Sequence, residues 1–156
     1  MRREKKLFGL ALGVLMSLAM LTGCGEKAKS INVEELASKL ASDITYQDEL
    51  AAVDLDTASM IFNFGDADIT KAAIYEGSGA TAEEIAVLEC ATAEDAKKVR
   101  DAFGTRISEQ KESFKDYVPE ELEKLDKAIA VANGCYAVLS VSNEPDKAYA
   151  ILDEYK

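Results

Sequence analysis

The chain has 156 residues, room for one domain of ordinary size. Its 29 acidic residues outnumber 18 basic ones, for a net charge of −11, and it has no histidine or tryptophan. A chain this acidic is repelled by a phosphate backbone, so nucleic acid is not an expected partner. Lack of imidazole excludes a Ser-His-Asp triad, a Cys-His dyad and a histidine zinc site.

Residues 1–23 open with Arg2, Arg3, Lys5 and Lys6, followed by an apolar run from Leu7 to Leu21. A spanning helix needs about 20 apolar residues. This run is shorter and ends in small residues, the pattern of a secretory signal. Leu21-Thr22-Gly23-Cys24 resembles the bacterial lipobox. That resemblance implies cleavage before Cys24 and acylation of its thiol with diacylglycerol, which leaves a palmitate-labelled anchor. The expected organisation is a lipoprotein signal peptide over 1–23, a lipidated tether over 24–31 and one α+β domain over 32–156. Cleavage removes four basic residues and one acidic residue, so the mature 133 residues carry 14 basic and 28 acidic groups, a net −14. The lipid must hold the protein at the membrane unaided, because an acidic domain gains nothing from anionic headgroups.

Asn32, with Glu35 three residues on, forms a helix start. Val33, Leu36, Ala37, Leu40 and Ile44 recur at helical spacing and predict a helix over 33–43. Residues 45–69 are the least legible, and a short helix or turn is expected there, with Met60, Ile61 and Phe64 inward. Residues 70–76 and 83–91 read as strands around the loop 77–82. Thr92 caps a helix reaching about Tyr117, with a buried stripe of Ala96, Val99, Phe103, Ile107, Gln110, Phe114 and Tyr117. Pro119 opens a short helix carrying Leu122 and Leu125. Strands 128–132 and 135–141 flank Asn133-Gly134, the preferred pair for a type I′ turn, which sets Ile129 against Val138 and Val131 against Tyr136. Pro145 opens a final helix with Ala148, Ile151, Leu152 and Tyr155 on one face. The expected fold is α+β: an N-terminal helix, then ββαββα, with a four-stranded antiparallel sheet and helices packed on one face.

Three stretches, Gly79–Leu88, Phe114–Ala128 and Asn133–Ala148, together resemble the bacterial lipoproteins grouped as domain of unknown function 4358. The lipobox, the Ala-Glu-Glu-Ile strand and the Pro-Asp-Lys helix start belong to the same pattern. The resemblance implies a location outside the cytoplasm and a fold. It brings no activity, cofactor or catalytic residue.

Among candidate sites, Asp54, Asp56, Asp66 and Asp68 are the weak metal candidates, since carboxylate oxygens ligate Ca²⁺. A loop of EF-hand type starting at Asp54 fails at its fifth, sixth and twelfth positions, which are Ala58, Ser59 and Gly65. A solvated acidic loop is the expected reading, with no metal. Gly77-Ser78-Gly79 lacks the full phosphate-loop pattern and reads as a hairpin loop. Cys90 and Cys135 are expected as two buried thiols rather than a bridge. No catalytic residue is assigned and no cofactor is expected.

The leading expectation is a lipid-anchored module on the outer face of the cell membrane that binds a protein or small molecule and is not an enzyme. Two alternatives stand beside it: a carboxylate- or metal-dependent envelope hydrolase, and a structural or assembly factor of an envelope complex.

Overall fold

A computed structural model describes residues 30–155, so the expected signal peptide and the lipobox from Leu21 to Cys24 lie outside the described residues. Helix α1 (Val33–Asp43) begins where Asn32 Oδ1 accepts the Glu35 amide at 3.1 Å. Its apolar stripe of Val33, Leu36, Ala37 and Leu40 is closed to solvent.

The segment that was hard to read holds two elements, β1 (Ala51–Val53) and α2 (Leu55–Phe62). Asp54 caps α2 by accepting the Thr57 amide at 2.7 Å. Asn63, with φ of +48°, ends it in the left-handed conformation that commonly closes a helix. Ala58 and Phe62, four residues apart, face the interior. Met60 lies between them on the other side of the helix and is 81% exposed, against the expectation that it packs inward. Phe64 does pack inward, stacked on Phe62 with ring centroids 5.4 Å apart.

The remaining elements are β2 (Ile69–Glu76), β3 (Glu84–Cys90), α3 (Ala93–Phe114), α4 (Glu121–Asp126), β4 (Ile129–Asn133), β5 (Tyr136–Val141) and α5 (Pro145–Asp153). The fold is α+β, with one antiparallel sheet in the order β1-β2-β3-β5-β4. The sheet has five strands rather than four because Ala51–Val53 adds to the edge of β2.

Helices cover both faces, not one. Ala86 and Leu88 of β3 join a core with Phe62, Val99 and Phe103 beneath α2 and α3. Ile85 and Val87 point the other way, into a second core with Leu36, Leu40 and Ile151 of α1 and α5. The near-continuous apolar run of β3 is the mark of a strand buried on both sides.

Two further details depart from expectation. Helix α3 stops at Phe114, so Tyr117 lies beyond the stripe and is 78% exposed. The β4–β5 turn is built from Gly134 and Cys135, setting Asn133 against Tyr136, Val131 against Val138 and Ile129 against Ser140. Gly134 has φ of +54°, and neither Asn133 nor Cys135 is left-handed. A type I′ turn needs two such residues, whereas a turn with glycine first needs one.

Candidate functional site

On the face covered by α1 and α5, the edge of β4 and the last turns of α5 leave a groove of about 220 Å³. Ile31, Leu36, Val131 and Leu152 give it apolar walls, and Tyr136, Tyr149 and Tyr155 line it with rings. The Tyr136 hydroxyl accepts the Ile31 amide at 3.2 Å, which pins the start of the domain beside the groove. Val131 and Tyr149 are 38% and 49% exposed. Two of the domain's exposed large apolar side chains thus meet at one place. The Tyr155 hydroxyl lies in the field of Glu35, Glu154 and Lys39 and is held above the usual tyrosine range, by burial first and by Glu35 next.

Two polar clusters occupy the loop end of the β2–β3 hairpin. In the first, Lys124 of α4 places Nζ 3.1 Å from Glu83 Oε1, 3.0 Å from Glu121 Oε1 and 2.6 Å from Gln47 Oε1. Glu83 Oε2 accepts the amides of Gln47 and Asp48 at 2.8 and 2.9 Å, and Glu121 Oε2 accepts that of Ala82 at 2.8 Å. Each charge is partnered, so this cluster is a clasp between three segments.

The second cluster joins Glu76, Glu84, Arg106 and Gln110. Arg106 Nε is 3.2 Å from Glu84 Oε2 and Nη2 is 3.7 Å from Glu76 Oε2. The guanidinium also lies over the Phe62 ring at 5.9 Å, within the range of a cation–π contact. Glu84 is pushed up to about 8, by burial first and by the adjacent Glu76 charge, against the pull of Arg106. A raised carboxyl is what an acid catalyst needs, but Glu84 is fully buried and presents no surface to a substrate.

Of the four aspartates singled out from the sequence, Asp54 and Asp66 have other work for their carboxylates. Asp54 caps α2, and Asp66 pairs with Lys98 at 3.2 Å. Asp56 lies in the first turn of α2, and the Asp68 carbonyl accepts the Ala91 amide at 2.8 Å. Among the described residues no group of three or more cysteine, aspartate or glutamate side chains is placed to hold a metal ion. In the 77–79 loop, Asp48 Oδ2 accepts both the amide and the hydroxyl of Ser78 at 2.7 Å. A carboxylate of the protein itself fills the position an anion would need.

Cys90 is a free, buried thiol pushed up to about 11, by burial first and then by Asp95, Asp68 and Glu89. As expected, Cys90 makes no bridge to Cys135; Cys135 is itself disulfide-bonded, which corrects the expectation that it is a thiol. Among the described residues no helix is long and apolar enough to cross a membrane.

Neither hairpin cluster was found from sequence. The available signals were Gln110 inside an otherwise apolar helical stripe and Glu83-Glu84 at the head of an apolar strand.

A family model described as a domain of unknown function, DUF4358, matches residues 42–142. The chain belongs to the DUF4358 family. The DUF4358 match runs from the end of α1 through all five strands and contains both hairpin clusters. It contains Val131 and Tyr136 of the groove but stops short of Tyr149, Leu152 and Tyr155 on α5. No curated protein and no solved structure matches the chain.

Proposed function

We propose that this protein is a lipid-anchored, extracytoplasmic binding module without enzymatic activity, and that the tyrosine groove takes a small apolar molecule carrying a positive charge. The groove carries this reading. It joins apolar walls to three tyrosine side chains, whose ring faces attract cations. The carboxylates of Glu35 and Glu154 act on Tyr155 and outweigh the single charge of Lys39. The mature domain's net charge of −14 favours a cationic ligand at longer range. The basic start, apolar run and Leu21–Cys24 motif support the anchor.

Isothermal titration with phenethylamine, benzyl alcohol and benzoate tests the ligand class. Saturable binding of the amine, weaker binding of the alcohol and none of the acid is the expected order. Equal binding of all three, or of none, removes the reading. Palmitate labelling of cells carrying Cys24→Ser tests the anchor: label and membrane retention should both be lost, and their persistence overturns it.

A further inference from the structure

Glu76 of β2 and Glu84 of β3 stand directly opposite one another in the sheet. Their side chains are 13% and 0% exposed. Like charges facing across a ladder repel, and a charge taken from water must be paired. The neighbouring strands offer no help: Ala51 of β1 lies opposite Glu76 and Val141 of β5 lies opposite Glu84. From α2 comes the apolar ring of Phe62. From α3 come Arg106 and the Gln110 amide, whose Nε2 donates to Glu84 Oε2 at 3.0 Å. The charges next in line are already engaged, Glu83 and Glu121 with Lys124, and Asp48 with Ser78. Glu49 shares with Glu76 a depression that opens to solvent.

Two carboxylates against one guanidinium leave a charge of −1 in a largely buried space. The same space is short of donors. Glu76 Oε1, Glu84 Oε1 and Gln110 Oε1 are all buried without a hydrogen-bond partner. The two carboxyls are within hydrogen-bonding reach of each other, yet two carboxylates hold no donor. A single proton removes the net charge and supplies the missing donor.

We propose that Glu76 and Glu84 share one proton at neutral pH, and that this proton latches β2 to β3 at the loop end of their hairpin, beneath Arg106 of α3, until alkaline solution removes it. The depression lined by Asp48, Glu49 and Ser78 beside Glu76 is the route by which the proton passes to a solvent base. Burial raises both carboxyls, Glu84 to about 8. For a group raised on folding, the stabilisation is complete below its unfolded value and is lost as pH climbs through its folded value. The window here runs from about 4.5 up to about 8.

Carbon-13 NMR of the side-chain carboxyls on the whole mature domain reads the proton directly. One of the two carboxyl carbons should keep a protonated shift at pH 7 and titrate near 8. Titration of both below pH 5 overturns the proposal. Denaturant unfolding supplies the second measurement. The unfolding constant should rise by up to about tenfold per pH unit across the window, the limit for one proton. E84Q, whose amide donates to Glu76 without a proton, should flatten that rise. An equal slope in E84Q and the parent refutes the latch.

Discussion

Lys124 reaches from α4 to Glu83, Nζ to Oε1 3.1 Å, with both side chains closed to solvent. The pair draws the 45–50 loop, the start of β3 and α4 to one point, since Glu83 also takes the Gln47 and Asp48 amides. A buried ion pair contributes modestly against an apolar pair of the same shape, but half of one is costly. Lys124→Met should therefore lower stability by about 3–5 kcal/mol. Lys124→Met with Glu83→Gln should cost less than the sum of the two single changes. Urea unfolding of the four members of this cycle measures the difference.

Gly77 permits the hairpin loop to close on Asp48. A Cβ placed there would stand 2.8 Å from Asp48 Oδ2 and 3.3 Å from the Glu83 carbonyl oxygen. Gly77→Ala should destabilise by about 1–3 kcal/mol, as overpacking does. It should also change the acid limb of the stability profile. The two hydrogen bonds from Ser78 hold the Asp48 carboxyl below its usual range. A lowered carboxyl stabilises above its unfolded value and ceases to do so as pH falls through its folded value. Displacing Asp48 should thus shift the onset of acid unfolding to higher pH, which circular dichroism at graded pH detects.

Tyr149 separates ligand binding from folding. It lines the groove while remaining 49% exposed. Tyr149→Ala should change stability by less than about 0.5 kcal/mol and weaken phenethylamine binding at least tenfold. Loss of binding with an unchanged melting curve is the expected pair of results. Unchanged binding places the ligand elsewhere.

The fold shields Cys90. Cys90 is buried with its thiol pushed up to about 11, and the thiolate is the reactive form. Iodoacetamide at pH 8 should leave native Cys90 unmodified and alkylate it fully in denaturant.

Local signals carried far along this chain. Asn32, Thr92 and Pro145 begin their helices as their capping and ring chemistry dictates. The four longer strands follow their apolar runs. What stayed hidden was set by partners distant in sequence. Ala51–Val53 is too short and too bland to declare itself, and it pairs only because Ile74–Glu76 presents an open edge. Asn133-Gly134 is a strong turn signal, yet pairing through Ala137, Val138 and Leu139 moved the turn one residue along. The second layer of helices was legible in the unbroken Ile85–Leu88 run, since alternation would have meant one wet face. The carboxyl pair could not be read, because its meaning lies in Glu76 and Glu84 facing each other beneath Arg106.

The sheet ends in short margins. β1 offers three residues and β4 five, little template for a foreign strand to lengthen. Copies of such a domain can meet at high concentration without zipping into fibrils, and they should remain dispersed when overproduced.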